Sequence, residues 1–157
     1  MARTTRATQF LEKAGVPFTT VTYDYDPNAE RIGLQAAEAI GEAPHRVLKT
    51  LMAELDGKPV CVVVPSDREV SMKKLAAAFG GKHAAMMKPV LAEKLTGYVV
   101  GGISPFGQKK AVPTAIEVEA LTETEVYMNG GQRGLQVRLS PQAALKALGA
   151  IAAPLVA

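Results

Sequence analysis

The sequence predicts an α+β fold in which helices pack around a mixed β-sheet. Helical and strand patterns are interleaved along the chain without the strict βαβ repeat of a doubly wound parallel sheet. Asp56-Gly57 lies between two strand-like runs and is a strong hairpin signal, which indicates antiparallel pairing. The uninterrupted apolar run at residues 61–64 is typical of a strand that is covered on both faces.

The first part of the chain predicts helix, strand, turn and helix, in that order. Apolar residues recur at helical spacing over residues 5–14, and Gly15 ends that pattern. Residues 18–23 are rich in threonine, valine and aromatic side chains, which favours a strand. The DYDPN segment at residues 24–28 is typical of a turn, and residues 34–40 form a short helical pattern that ends at a glycine.

The middle of the chain predicts the hairpin and then two helices. Residues 47–55 and 59–64 form the two strands on either side of Asp56-Gly57. Ser71 suits the N-cap of a helix that ends at Phe79, before two glycines. Pro89 suits the first position of a helix that continues to about residue 95.

The last third predicts four short strands and a final helix. The strands fall at residues 98–100, 115–118, 125–128 and 135–139. Ser140-Pro141 then begins a helix that continues through Leu148. These elements leave no linker or internal repeat, so we expect one domain over residues 1–157.

Composition narrows the classes of protein that fit. The chain has 157 residues, 48% of them hydrophobic and 21% charged, which is typical of a globular domain and not of a disordered chain. No apolar stretch reaches the roughly 18 residues of a membrane helix, and residues 1–10 lack the apolar core of a secretory signal. We therefore expect a cytoplasmic protein that does not bind a membrane. The net charge of +3 is compatible with an anionic partner.

The sequence contains few residues of the usual catalytic types. One cysteine and two histidines exclude a cysteine-rich or histidine-rich metal site, and we expect no metal and no cofactor. Cys61 lies within the apolar run, which favours a buried, unreactive thiol over a nucleophile. His45 and His83 fit surface or structural positions better than catalytic ones.

The segment at residues 98–110 is the first candidate site. A strand-like run meets Gly101-Gly102, where a bare backbone can approach another molecule and turn its N–H groups towards an anion or a carbonyl oxygen. A tight turn with only packing roles fits the same residues equally well. Lys109-Lys110 could either meet phosphates or face solvent.

Lys49 is the second candidate, since it is the only charge among Val47, Leu51 and Ala53 on one face of its predicted strand. The ammonium group either reaches the edge of the sheet, the commoner case, or lines an anion-binding pocket. The glycine-rich connection at residues 127–135 is a third and weaker candidate, because Asn129 and the adjacent Gln136 can offer neutral hydrogen bonds to a ligand.

Four motifs in one order then show a likeness to a known family. They are TYDYDP at residues 22–27, KTL at 49–51, GYVVGGISPFGQKK at 97–110 and GGQRGL at 130–135. Together they resemble the YbaK/EbsC-type aminoacyl-tRNA deacylases, which are related to the editing domain of bacterial prolyl-tRNA synthetase. The likeness spans about residues 10–148. It implies a mixed-sheet pseudo-barrel of about six to seven strands with surrounding helices.

The resemblance also implies an activity and its site residues. The enzyme would hydrolyse mischarged tRNA, chiefly Cys-tRNA(Pro), in trans. Lys49 matches the lysine that positions the terminal adenosine and its ester. Its catalytic partner is the backbone of Gly101, the first residue of a G-x-x-x-P loop that contacts the substrate. The other residues of this loop are Gly102, Ile103, Ser104 and Pro105. The positions that match the family's pocket are Tyr23, Thr50 and Met52.

The same resemblance implies that the protein supplies no nucleophile. The thiol of the cysteinyl group would attack its own ester, and the cysteinyl group would leave the tRNA as a cyclic thiolactone. A regular strand places Lys49 opposite Thr50 and Met52, so we expect a bend or a curved wall at that point.

Three residues depart from the family pattern and leave the preferred amino acid open. Ile32 stands where phenylalanine is frequent, and Asn129 and Gln136 stand where well-known members have serine and aspartate. A neutral contact to the substrate ammonium group is weaker than a charged one, so Ala-tRNA(Pro) or another small amino acid is the alternative. A tRNA- or nucleotide-binding protein without turnover, and an enzyme of free aminoacyl esters, also remain open. The expected partners are the acceptor end of tRNA and prolyl-tRNA synthetase.

Overall fold

The computed structural model describes residues 4–29 and 32–157, with the side chains of residues 32 and 33 outside the description. Within these residues the helices are α1 (Arg6–Lys13), α2 (Ile32–Ile40), α3 (Met72–Ala78), α4 (Pro89–Thr96) and α5 (Pro141–Leu148). The strands are β1 (Thr19–Thr22), β2 (Leu48–Leu55), β3 (Lys58–Pro65), β4 (Ala84–Met86), β5 (Thr114–Glu117), β6 (Val126–Asn129), β7 (Leu135–Leu139) and β8 (Ile151–Ala153). Two 3-10 helices span Pro44–Arg46 and Val118–Thr122.

The eight strands form two sheets. One is antiparallel with the order β1-β7-β6, and the other has the order β4-β2-β3-β5-β8. In the larger sheet β2 is antiparallel to both neighbours, whereas β3 pairs in parallel with β5 and β5 with β8. A single bridge between Val47 and Tyr127 connects the two sheets.

Local chemistry explains where the elements begin and turn. The side chains of Thr5, Ser71 and Ser140 each accept a hydrogen bond from a backbone N–H in the first turn of α1, α3 and α5. Asp56 (φ 49°) and Gly57 (φ 81°) both have positive φ, the requirement of a type I′ hairpin turn. The predicted hairpin is therefore confirmed.

The core lies on both faces of the larger sheet. Along β3, Cys61 and Val63 pack into one apolar cluster, and Val62 and Val64 pack into another. All four are 0% exposed, which confirms the prediction of a strand buried on both faces. No helix among the described residues is long and apolar enough to span a bilayer.

The predicted α+β class is confirmed, and three details of the prediction are wrong. The sheets do not close into a barrel, and the described residues form eight strands instead of six or seven. Residues 98–100 form no strand, because Val99 begins a turn in which its carbonyl accepts from the Gly102 N–H at 2.8 Å. The sequence pattern also missed β4 and β8, two three-residue strands that add to existing edges.

Candidate active site

A cavity of about 410 Å³ lies along the free edge of β2. Its lining includes six consecutive residues, 47–52, which side chains on one face of a strand could not provide. The edge is free because β4 pairs with β2 only from Ala53 to Leu55. The cavity therefore begins where that pairing stops.

Lys49 lines the same cavity as Thr50 and Met52, because the cavity lies along the edge of β2. The side chains of Leu48 and Met52 pack into the core on one face of β2, and those of Leu51 and Ala53 pack on the other. Residues from both faces reach the cavity because it surrounds the edge of the strand. The expected bend is thus not needed to bring these three residues together.

The backbone of Thr50 is directed to this edge as well. The Met52 carbonyl accepts from the Met87 N–H at 3.1 Å, so the backbone polar groups of Met52 point away from β3. Because these directions alternate along a strand, the N–H and C=O of Thr50 point the same way, into the cavity. The Thr50 hydroxyl oxygen is buried and has no hydrogen-bond partner among the described residues. A bound polar group would satisfy these atoms.

Lys49 is partly buried, and its only ion pair among the described residues is a weak one. Its side chain is 20% exposed, and its Nζ lies 3.9 Å from Oε1 of Glu69. The Glu69 side chain is 89% exposed, and ion pairs in such a setting contribute about 0–1 kcal/mol. A substrate oxygen can therefore replace Glu69 at little cost.

The glycine loop that follows α4 forms the opposite wall of the cavity. Gly101 has φ 90°, and a Cβ built there would lie 2.6 Å from Oη of Tyr25. A Cβ at Gly102 would lie 2.8 Å from the backbone N of Arg133. Two side chains tie the loop to its neighbour, since Asn129 Nδ2 donates to the Gly101 carbonyl at 3.2 Å and Arg133 Nε to the Val100 carbonyl at 2.9 Å. Both glycines are needed for this close approach.

The first half of this loop faces the cavity, and the second half is packed inside the protein. Gly101 and Ile103 line the cavity, and their N–H groups have no acceptor within the described chain. Ser104 is 0% exposed and its Oγ accepts from the Phe106 N–H at 3.1 Å. Gly102, Ser104 and Pro105 are buried and do not line the cavity. They shape the loop from behind.

Asn129 and Gln136 are directly opposed across β6 and β7. The Oδ1 atom of Asn129 accepts from the Gly131 N–H at 2.7 Å, so its amide joins two loops. Gln136 is 4% exposed, and its Oε1 has no partner among the described residues. Burial raises the pKa of the nearby Tyr23 hydroxyl, and a hydrogen bond with Gln136 opposes that change. Gln136 therefore offers the cavity a neutral acceptor beside a protonated tyrosine.

The described lining contains no histidine, cysteine, aspartate or glutamate. Complete burial raises the pKa of Cys61 to about 12, and this thiol does not line the cavity. No three metal-binding side chains cluster in the part of the chain that the structure describes. The arrangement can bind a carbonyl, a hydroxyl and an anionic group, but these residues include no histidine or carboxylate that could act as a general base for the hydroxyl groups of the lining.

Several lining residues were not found by sequence reasoning. Tyr25 lies in the TYDYDP motif, in which the sequence predicts only Tyr23 as a site residue. Met86, Met87 and Pro89 line the cavity from the end of β4 and the start of α4. The signal for them is weak, since β4 itself was not predicted. The side chain of Ile32, which was selected, lies outside the described residues.

Comparison with known proteins decides the family. The model of the aminoacyl-tRNA editing domain matches residues 26–147, more than three quarters of the chain. The chain belongs to this family. The YbaK/EbsC-type resemblance and the enzyme class, a hydrolase of aminoacyl-tRNA esters, are thereby confirmed.

Two relatives and one solved structure show what the chain is similar to. An Enterococcus faecalis protein, EbsC, named as a candidate Cys-tRNA(Pro)/Cys-tRNA(Cys) deacylase, is 34% identical over 90% of this chain and 86% of its own. A proline–tRNA ligase of Maridesulfovibrio salexigens is 33% identical over 64% of this chain but only 17% of the ligase. A crystal structure described as a candidate trans-editing enzyme for prolyl-tRNA synthetase superposes with a TM-score of 0.81, at 24% identity, over 97% of this chain and 95% of that one. The last likeness confirms the fold.

Proposed function

We propose that this editing-family enzyme acts in trans on tRNA(Pro) and removes cysteine from it, as a single cytoplasmic domain. The observation that supports the proposal is the set of residues that line the cavity. Lys49 and the backbone of Gly101 share it, and its described lining has no cysteine, and no histidine or carboxylate that could activate its hydroxyl groups to attack an ester. Such a site fits a substrate that contains its own nucleophile. The 34% identity to EbsC over most of both chains supports the cysteinyl substrate.

In the proposed mechanism the protein positions the ester and polarises its carbonyl. The N–H groups of Gly101 and Ile103 donate to the ester carbonyl oxygen, where negative charge develops during attack. The Lys49 ammonium group donates to the terminal ribose and keeps the ester at the edge of β2. Because the thiol and the ester already belong to one molecule, the protein contributes orientation and carbonyl polarisation and does not have to bring two reactants together.

The chemical step takes place within the substrate. The cysteinyl sulfur forms a bond to the ester carbonyl carbon, the bond from that carbon to the ribose oxygen breaks, and a cyclic thiolactone leaves. The proton of the thiol ends on the ribose hydroxyl, so atoms and charge balance without a protein base. Water then opens the thiolactone to cysteine. Proline has no thiol, so correctly charged tRNA is spared.

A second candidate substrate is Ala-tRNA(Pro), and the oxygen atoms of Thr50 and Gln136, unpartnered within the described chain, are the observation that favours it. Gln136 can accept a hydrogen bond from the substrate ammonium group, but a neutral acceptor binds that group less strongly than a carboxylate does. Alanine has no thiol, so its removal would need an attacking water held by Thr50 or Gln136, whose oxygen atoms are without partners among the described residues.

The partners proposed for this site are the acceptor end of tRNA and prolyl-tRNA synthetase. The chain aligns with a segment of a proline–tRNA ligase, which supports a shared substrate. Co-sedimentation of the protein with synthetase in the presence of tRNA(Pro) tests the contact.

Deacylation of Cys-tRNA(Pro), Ala-tRNA(Pro) and Pro-tRNA(Pro) tests the proposal. We expect the wild type to hydrolyse the first most rapidly and the last not at all. Lys49→Ala should lose at least about 100-fold in kcat/KM, whereas Lys58→Ala, a lysine outside the cavity, should match the wild type. If alanine is removed faster than cysteine, the second candidate replaces the first. If tRNA binds and no mischarged tRNA is hydrolysed, the chain is a binding protein and the proposal is wrong.

A further inference from the structure

A second groove, of about 490 Å³, lies beside the candidate active site. The two sites contact different faces of α4, since Pro89 and Ala92 line the first and Leu91 and Lys94 line the second. Met87 lines both, so the groove continues from the cavity. Its floor is apolar and open, and the Leu91 side chain is 48% exposed.

The rim of this groove carries a concentration of positive charge. Lys94, Lys109 and Lys110 line it, against one acidic residue, Glu54. All three lysines are exposed, and none takes part in an ion pair within the described chain. For comparison, the net charge of the whole protein is +3. The charged residues of the groove, three lysines against one glutamate, therefore give it a local formal charge of +2.

The loop that forms the active-site wall also positions two of these lysines, Lys109 and Lys110. The glycine loop leaves the cavity and reaches Lys109, whose backbone N–H donates to the Thr96 carbonyl at 2.8 Å. This bond seats residues 109 and 110 against the last turn of α4, which carries Lys94. One continuous segment thus contributes to the cavity and to the charged groove.

We propose that this groove binds the phosphate backbone of the single-stranded 3′ end of tRNA, next to the terminal nucleotide. The inference rests on the proposed function, which places the terminal adenosine in the cavity. An α-helix with its side chains is about 10–12 Å wide, so a strand that crosses α4 reaches the lysines within a few nucleotides. A basic groove with an apolar floor suits a nucleic-acid strand, because lysines contact phosphates and the floor contacts sugar and base faces.

We expect the three lysines to determine how strongly tRNA binding depends on salt concentration. Each phosphate contact to a single strand contributes about 0.7 to the slope of log affinity against log salt. For uncharged tRNA(Pro), the magnitude of this slope should therefore decrease by about 2 when Lys94, Lys109 and Lys110 are all changed to Gln. Arginine at the same three positions keeps the charge and should keep the slope.

A matched control variant distinguishes binding in the groove from nonspecific attraction of tRNA to the positive charge of the protein. Lys73, Lys82 and Lys146 are also exposed lysines, and they lie outside both the groove and the cavity. Changing these three to Gln removes the same charge and should leave the slope within about 0.5 of the wild type. Urea unfolding of each variant shows whether it is folded under the binding conditions.

Two outcomes would overturn the inference. One is an unchanged slope in the groove variant, and the other is an equal loss in the groove and control variants. Neither depends on turnover, because the probe is uncharged tRNA. Failure of the proposed function would instead appear as absent hydrolysis with these slopes intact, so the two failures can be told apart.

Discussion

Replacement of Gly101 by alanine tests how the active-site loop is seated. Gly101 has φ 90°, and an added Cβ would lie 2.6 Å from Oη and 3.1 Å from Cζ of Tyr25. Gly57 provides a matched control, since its φ is 81° and a Cβ there would meet no atom within 4 Å. Both variants carry the strain of an L-residue at positive φ, but only the first also meets a neighbour.

The expected magnitudes follow from these two contributions. Positive φ costs an alanine about 1–2 kcal/mol, so Gly57→Ala should lower the free energy of unfolding by about that amount. Overpacking against a neighbour costs a further amount of about 1 kcal/mol, the low end of the usual range, because Tyr25 Oη is the end of a partly exposed side chain that can move. Gly101→Ala should therefore lose about 2–3 kcal/mol in total. Tyr25→Phe removes the closest atom, and in that background the cost of Gly101→Ala should fall by at least about 0.5 kcal/mol.

Urea unfolding and steady-state deacylation of Cys-tRNA(Pro) measure the two effects. Because a displacement of the loop donors by about an ångström from their productive position can cost about 100-fold in rate, we expect kcat/KM of Gly101→Ala to fall about 10- to 100-fold. Gly57→Ala should keep the wild-type value. The reasoning is refuted if the two variants lose equal stability and both keep full activity.

Three further predictions concern residues around the cavity and in the core. Asn129→Ala frees the Gly101 carbonyl and should lower unfolding free energy by about 1–3 kcal/mol and reduce kcat/KM; unchanged activity would contradict its positioning role. Buried Glu117 accepts from the N–H groups of Leu155 (2.7 Å) and Val156 (3.1 Å), so Glu117→Gln should speed hydrogen exchange in the C-terminal segment, and unchanged exchange would count against this anchoring. The folded-state pKa of Cys61 is raised from 9.0 to about 12, so the unfolded chain loses this proton first and stability falls above pH 9 by about 1.4 kcal/mol per pH unit. Cys61→Ala should lack that component in urea titrations at pH 9 to 11, while equal pH slopes would contradict it.

The larger elements could be predicted because their signals are local. The caps at Ser71 and Ser140 and the turn at Asp56-Gly57 depend on side chains within a few residues. The strand predicted at residues 98–100 failed for the opposite reason. Val99 and Val100 favour strands, but they are 50% and 40% exposed and no strand pairs with them in the described chain. Pairing, which the local sequence does not encode, decided the outcome.

The site was predictable only in part for a similar physical reason. The motifs predicted Lys49 and Gly101 as separate site residues. The cavity that both residues line exists because the pairing of β4 with β2 ends at Ala53. The same ending exposes the backbone of Thr50 and brings Met87 into the wall. A strand edge of this kind is a property of tertiary pairing. Spacing along the sequence carries no signal for it.

The comparison of Cys-tRNA(Pro) with Ser-tRNA(Pro) tests the central claim most directly, because the two substrates differ only in sulfur against oxygen. If the substrate thiol is the nucleophile, single-turnover deacylation of the cysteinyl ester should exceed that of the seryl ester by at least about 100-fold, or roughly 2.7 kcal/mol. The first released product should be the thiolactone, which an added amine traps as a cysteinyl amide. Equal rates for both esters, with free cysteine as the first product, would contradict the account.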